Sequence, residues 1–433
     1  MITANDMVVR TAMPAAAYAP LARNHVQSLA VPFHERLLTV VLFLAVLLSA
    51  VAFIEPSPHD GMMAVLAVVG LIAGIRFHRA LVLPLLLLLA WNIAGLFSVM
   101  QVPEQEKTIQ YAATSVYLAV AALIFAMIVA DNTMARMATL RTAYVLAAAG
   151  SAILGAIGYF KAFPGAADMF TLNGRAQGMF KDPNVYGPFL ILPALMLLQR
   201  IIRQRIELTA VIFLGIIMFG QLLSFSRGSW FHFTVSLLVV IGMAILVAPT
   251  QKARMRVFTM TIAGIGAMAV LLVILLSISS IGEMFTTRAQ LIQTYDVGQG
   301  GRFLLQEKAL AAVLDFPNGM GPFEFARVHG LQQHNVYLQA FLVYGWAGAF
   351  AYILLLVSTV WVGFFTALKR TPWQGYQIAA LGAFVGEMAE GFVIDTDHWR
   401  HFFLILGVVW GLAAATRNWQ RAPHVSATPA QQY

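Results

Sequence analysis

The sequence predicts an all-α polytopic membrane protein of about twelve transmembrane helices. Composition is the first reason: 60% of residues are hydrophobic and 11% charged, against roughly 25% charged in ordinary globular chains. Apolar runs of about 20 residues, enough to cross the hydrocarbon core as a helix, recur along nearly all of the 433 residues. These runs are continuous and not alternating, which excludes the strand pattern of a β-barrel.

The first run, 37–54, follows a polar segment, 1–36, with no signal-peptide apolar core. It is therefore expected to remain as a transmembrane helix behind a cytoplasmic N-terminal segment. Runs at 62–76, 80–100, 109–130 and 141–161 come next, then 185–200, 207–224, 229–248 and 257–281. A long polar loop, 282–335, interrupts the series. Within it, Arg302–Phe316 reads as an amphipathic helix. Leu304, Leu305, Ala309, Ala312 and Val313 recur at spacings near 3 and 4, with Glu307 and Lys308 elsewhere on the turn. Such a helix can lie on a membrane; Pro317, Gly319, Gly321 and Pro322 end it. The tenth run, 336–368, is too long for one simple span. Residues 336–344 are expected as a short interfacial helix, with Gly345 and Gly348 marking a bend. Runs at 375–394 and 400–416 close the series before a tail, 417–433. No soluble domain, low-complexity segment or internal repeat stands out, so 37–416 reads as one membrane domain.

The chain has no cysteine, which excludes disulfides and thiol chemistry. Its net charge of +8 is spread over short loops, with no basic tract interleaved with aromatics. That pattern fits an anionic membrane and not nucleic acid. With the N-terminus inside, Arg76/Arg79, Arg136/Arg141, Arg200/Arg203/Arg205, Lys252/Arg254/Arg256, Lys369/Arg370 and Arg417/Arg421 all fall on the cytoplasmic side, while the short outer loops 55–61, 101–108 and 395–399 hold one lysine between them. This obeys the positive-inside rule and places both termini in the cytoplasm and 282–335 outside. Lys161, Arg175, Lys181, Arg227, Arg288, Arg302, Lys308, Arg327 and Arg400 then stand on the wrong side. Anion binding is the simplest reason for them.

Several constellations could carry that chemistry. Gly174-Arg175 and Phe180-Lys181-Asp182-Pro183-Asn184 precede the sixth run. Asn184 is the expected helix N-cap, and the positive helix end there suits phosphate; the bland alternative is a capped helix with interfacial anchors. Arg227, in Ser226-Arg227-Gly228, sits between two apolar runs, where a charge usually faces a cavity or a partner, unless it only snorkels to the interface. Arg288 and Arg302 share the long loop and suit bidentate phosphate contacts. In Gln333-His334-Asn335, Asn335 is expected to cap the following helix and fix the backbone beside His334. A neutral imidazole there could take a proton from a hydroxyl, or simply bond a loop carbonyl; His329 is a weaker candidate. Asp395 and Asp397 have the oxygen chemistry of a hard-cation site, yet equally suit the N-terminus of the last helix. Glu387 and Glu390 lie near the same end as the arginines and are expected to pair with them.

The order of these motifs resembles a known family. Ser226-Arg227-Gly228, then Gly301-Arg302, then His334-Asn335-Val336-Tyr337-Leu338-Gln339 with Gly345-Trp346-Ala347-Gly348 look like the O-antigen ligase/polymerase superfamily, over roughly residues 170–415. The segments around Pro183-Asn184 and Asp395–Arg400 fit as well. The resemblance implies a GT-C-like fold and inverting glycan transfer from an undecaprenyl-diphosphate carrier at the periplasmic face of a bacterial inner membrane, without a cofactor or metal. The compact loop and the Asp395-Thr-Asp-His-Trp-Arg400 ending look most like the ligase branch, whose acceptor is lipid A–core lipopolysaccharide. The family's histidine maps onto His334. Arg175, Arg227, Arg288 and Arg302 are then expected to bind the diphosphate, with Lys181, Asn335, Asp395, Asp397 and Arg400 supporting. The superfamily's polymerase and protein O-oligosaccharyltransferase branches remain alternatives. A polysaccharide or lipid transporter is the alternative of a different class, although the absence of repeated halves argues against it.

Overall fold

The structure, a computed structural model, describes residues 32–102, 105–203, 206–290 and 301–421. Most of the expected N-terminal segment, Arg205, residues 291–300 of the long loop and most of the expected tail lie outside the described residues.

Of the described residues, 79% are helical. The helices run in order α1 (Phe33–Leu47), α2 (Pro58–Ile72), α3 (Val82–Val99), α4 (Gln105–Ala130), α5 (Thr133–Tyr159) and a short α6 (Ala166–Phe170). A two-stranded antiparallel hairpin, β1 (Thr171–Leu172) with β2 (Arg175–Ala176), follows and is the one sheet among the described residues. Then come α7 (Pro183–Phe189), α8 (Ile191–Arg203), α9 (Leu208–Leu223), α10 (Arg227–Val247), α11 (Gln251–Leu276), α12 (Ser279–Arg288), α13 (Arg302–Asp315), α14 (Glu324–His329), α15 (Val336–Ala367), α16 (Gln374–Glu390) and α17 (Arg400–Arg421).

Nine helices among the described residues are long and apolar enough to cross a membrane, and α2 and α9 are shorter apolar helices. The chain is thus an all-α, multi-pass membrane protein. Each of the twelve predicted apolar runs carries a helix, with shifted ends that have local causes. Helix α2 begins four residues before its run because Pro58 takes its first position and Asp60 Oδ2 accepts from the Ser57 backbone N–H at 2.8 Å. Helix α5 begins eight residues early because Arg136, expected in a loop, is only 3% exposed, is neutralised by Glu35 of α1 and donates to the Thr39 hydroxyl of the same helix. The sixth run is split at Leu190, between Pro188 and Pro193, neither of which can donate an i→i−4 hydrogen bond.

Close helix contact relies on pairs of small residues, as expected where lipid offers no hydrophobic drive for association. Gly407 and Gly411 seat α17 on α4; an added Cβ would meet the Ala122 and Ala126 carbonyl oxygens at 2.5 and 2.7 Å. Gly382 and Gly386 seat α16 on α10 in the same way, against the Ser236 and His232 carbonyls at 2.9 and 2.6 Å. Helices α16 and α17 are therefore fixed in the interior, and the 391–399 link between them is held at a defined height.

The expected bend in the tenth run is present at one residue. Gly345 has φ 66° and ψ −178°, a backbone region essentially reserved for glycine. Gly348 is helical and instead gives room to Tyr344 and Ala94. The bend lets the chain at Pro317–Asn318 pack against Gly345, and the Trp346 backbone N–H donates to the Pro317 carbonyl at 2.9 Å. The amphipathic helix α13 packs its apolar face, Leu305, Ala309, Ala312 and Val313, onto Leu342 of α15, leaving Glu307 and Lys308 exposed. It is a lid on the first part of α15.

Candidate functional site

The four predicted arginines come together. Arg175, Arg227, Arg288 and Arg302 line one cavity of about 350 Å³, whose wall also includes Asn184, Ser226, Glu390, Val393 and Ile394. Four separate segments deliver them: β2, the start of α10, the end of α12 and the start of α13.

Each arginine is aimed by local structure. The β1–β2 hairpin turns through Asn173 and Gly174, both at positive φ, and presents Arg175. Its Nε donates to the Ser224 carbonyl at 2.9 Å and its Nη2 to Asn184 Oδ1 at 2.7 Å. Ser226 Oγ donates to that same oxygen at 2.9 Å and also caps α10, accepting from the Ser229 N–H at 3.3 Å. The cap sets the direction of Arg227, whose Nη1 donates to the Gln290 carbonyl at 2.8 Å. Arg302 is the first residue of α13, so the packing of α13 on α15 positions it.

Asn184 is not the cap of α7. Asp182 fills that place, two positions earlier, its Oδ1 accepting from the Asn184 N–H at 2.7 Å, because Pro183 takes the first helical position and the extended residue before it becomes the cap. The helix end is thus occupied by a carboxylate, and Asn184 serves instead as the shared acceptor for Arg175 and Ser226.

His334 stands beside this cavity. It takes positive φ, 50°, so that the chain can turn into α15. Asn335 is the N-cap, as expected, its Oδ1 accepting from the N–H groups of Tyr337 and Leu338 at 3.0 and 3.1 Å. The 391–399 link holds the step from behind: Asn335 N–H donates to Asp395 Oδ1 at 3.0 Å, Asn335 Nδ2 to the Phe392 carbonyl at 3.2 Å, and Val336 N–H to the Gly391 carbonyl at 2.8 Å. Asp395 Oδ2 lies 3.7 Å from His334 Nδ1. Gln306 of α13 donates to the His334 and Phe392 carbonyls at 3.3 and 3.2 Å, which couples the lid to both. The same link supplies Val393 and Ile394 to the arginine-lined wall.

The electrostatics of the pair follow from this setting. Burial, then the charge of Arg302, holds His334 below its ordinary value, so the imidazole is neutral at pH 7. Burial, then the neighbouring Asp397, pushes Asp395 up to about 7.

Other expected site residues lie elsewhere. Lys181 pairs with Glu55 at 2.9 Å and faces a separate, smaller cavity with His59 and Trp399. Arg400 lines that cavity too, held by Asp60 through two hydrogen bonds of 2.8 and 2.7 Å. Asp397 accepts from the Tyr111 hydroxyl at 2.7 Å and sits 3.2 Å from His398 Nδ1. Burial alone would raise Asp397, but these two partners hold it below its usual range. Asp395 and Asp397 therefore turn to different partners, and among the described residues no three His, Asp or Glu side chains converge as metal ligands do. His329 packs against Phe325 with ring centroids 4.5 Å apart and Arg327 pairs with Glu324 at 2.7 Å, both away from the arginine-lined wall. Glu390 does face the arginines while bonding His232 Nδ1 at 2.8 Å, whereas Glu387 lies deeper, 3.5 Å from His401. The roles of Asn184 and of Asp395 as the partner of His334 were missed from sequence, although the Ser-Arg-Gly and His-Asn motifs adjoin them in space.

The chain matches no protein-family model and no curated protein sequence. The functional reading therefore rests on the geometry and chemistry of the site together with the motif resemblance.

Proposed function

We propose that this protein is an O-antigen ligase: a membrane glycosyltransferase that moves a glycan from undecaprenyl diphosphate to lipid A–core lipopolysaccharide. The observation that carries the reading is the convergence of Arg175, Arg227, Arg288 and Arg302 on one cavity beside a neutral, carboxylate-backed His334. In this reading the twelve helical runs form a GT-C-like membrane domain in the bacterial inner membrane. The termini are cytoplasmic, and the arginine-lined end faces the periplasm.

The chemistry needs two devices. The acceptor hydroxyl oxygen attacks the anomeric carbon, the bond from that carbon to the diphosphate oxygen breaks, and its electron pair stays on the diphosphate. Fixed guanidinium groups stabilise the charge that develops there, the largest kind of catalytic term in many sites. The hydroxyl proton goes to His334 through Nε2, since Nδ1 faces Asp395, and the ionised carboxylate stabilises the imidazolium that forms. One displacement inverts the anomeric centre without a covalent nucleophile. The apolar outer faces of the helices suit the polyprenyl and acyl chains of donor and acceptor.

Mass analysis of lipopolysaccharide from cells with and without the protein tests the assignment. Glycan on lipid A–core only when the protein is present is the expected result. Unchanged lipid A–core, with altered glycan length or a glycosylated protein, contradicts it in favour of a polymerase or a protein oligosaccharyltransferase.

A further inference from the structure

The end of the bundle opposite the arginine-lined cavity carries a second cationic cavity. The near-continuous helical run Pro183–Arg203 has Asn184 at one end, in the first cavity, and Gln199 and Arg203 at the other. At a rise of about 1.5 Å per residue, the two ends are roughly 25–30 Å apart, about the thickness of a bilayer core. The second cavity measures about 980 Å³ and is bounded by α8, α10, α11, the α15–α16 link and the end of α17.

Its lining has two parts. Arg203, Lys252, Arg256 and Arg370 bring four cations from three segments, and no aspartate or glutamate lines it among the described residues. Membrane orientation requires only that cations lie in loops on one side; it does not require them to ring one cavity. The floor is apolar: Ile202, Ala244 and Val257 form a buried cluster with Leu198 and Ile241 packed against it. Helix α11 forms one wall, and beyond the cavity the same face of the helix is bare, its Ala263, Gly264 and Ala267 all being exposed.

Gln199 supplies an independent sign of a ligand. It is only 3% exposed and lines this cavity, yet neither its Nε2 nor its Oε1 has a hydrogen-bond partner. Buried amides are nearly always satisfied, so a polar group belongs within reach. Arg203 and Arg256 are held in place beside it, Arg203 Nη2 donating to Gln374 Oε1 at 3.0 Å and Arg256 Nη2 to the Ile201 carbonyl at 3.2 Å.

We propose that this cavity binds the phosphate headgroup of an anionic phospholipid, with the acyl chains running along the exposed face of α11. Cations at the rim, an unsatisfied amide inside and an apolar lateral wall match a headgroup joined to a hydrocarbon tail. A soluble phosphate would use the rim and leave the apolar floor without purpose. The site stands apart from whichever anion the opposite end takes.

The test uses the purified full chain in detergent, with native mass spectrometry of bound lipid. Phosphatidylglycerol and phosphatidylcholine of matched acyl chains are offered in competition, and inorganic phosphate is offered separately. Phosphatidylglycerol is expected to be retained at least tenfold over phosphatidylcholine. The pair Lys252→Glu and Arg370→Glu, both on exposed side chains, should remove that preference without moving the lipid-free thermal midpoint. Equal retention of the two lipids, an unchanged preference in the double variant, or displacement of phosphatidylglycerol by millimolar inorganic phosphate overturns the proposal. Should the variant fail to fold, a photoreactive phosphatidylglycerol on the unaltered chain decides: labelling at Ile202, Ala244 or Val257 supports the site, and labelling confined to other helices refutes it.

Discussion

The backbone N–H of Asn335 donates to Oδ1 of Asp395 at 3.0 Å, and this bond ties the entrance of α15 to the link between α16 and α17. The other oxygen of the same carboxylate faces His334 Nδ1 at 3.7 Å. One side chain thus holds the backbone of the His-Asn step and places a carboxylate beside the candidate base, while burial and Arg302 keep that imidazole neutral. Asp395 is held near pH 7 by burial and by Asp397, so it is charged only above about 7. His334 is held below its ordinary 6.5, so it is already neutral there. The competent pair, neutral imidazole with ionised carboxylate, therefore prevails above about pH 7 and is lost as pH falls. Transfer rate measured against pH should rise through about 7. In Asp395→Asn the rate should drop by roughly tenfold or more, and the midpoint should move below 6.5, to the value His334 alone sets. A wild-type profile flat from pH 6 to 8 contradicts this pairing.

Removing any one guanidinium from the cavity should cost roughly 10²-fold in turnover, the usual scale for one preorganised donor at developing charge. Arg175→Ala should also loosen Asn184 and Ser226, because Arg175 and Ser226 share Asn184 Oδ1. Arg302→Lys should recover little, since lysine lacks the planar fork. Steady-state kinetics with donor titrated at saturating acceptor would show the loss mainly in kcat.

Gly345 is a stability prediction. A Cβ there would meet the Asn318 carbonyl carbon at 2.7 Å, in a backbone region that L side chains avoid. Gly345→Ala should cost about 1–3 kcal/mol, read as a lower thermal midpoint, whereas Gly330→Ala, with open space around it but positive φ, should cost less.

Arg400 and Asp60 form a bidentate pair whose side chains are 21% and 16% exposed. Breaking it from one side leaves a poorly solvated charge, so Arg400→Ala should destabilise by about 3 kcal/mol. Asp60→Asn combined with Arg400→Gln should recover part of that loss. Both proteins, where folded, should retain turnover, because the pair faces the smaller cavity.

Much of the fold was legible in the sequence because membrane helices announce themselves through continuous apolar length. What was not legible is where polar partners override that signal. Arg136 reads as a loop residue until Glu35 of another helix is seen to neutralise it and Thr39 to accept from it. Within the candidate site, the four arginines were marked by standing on the wrong side of the charge pattern. Lys181 and Arg400 were marked by the same rule, yet Glu55 and Asp60 claim them, pairings that depend on distant segments. Asn184 was visible as a turn residue, but the cap falls two positions earlier, on Asp182. The link from Asp395 to His334 crosses about 60 residues and follows only from the packing of α15 on α16.

The central claim, that His334 and the arginine-lined cavity perform glycan transfer, is tested most directly by one measurement. Purified protein is given polyprenyl-diphosphate-linked glycan and lipid A–core acceptor, and product is compared among wild type, His334→Ala and Arg302→Ala. Wild type should form glycosylated lipid A–core. His334→Ala should be slower by roughly 10²–10⁴-fold, as expected for loss of a general base, and Arg302→Ala by roughly 10²-fold. Full transfer by both variants would contradict the account.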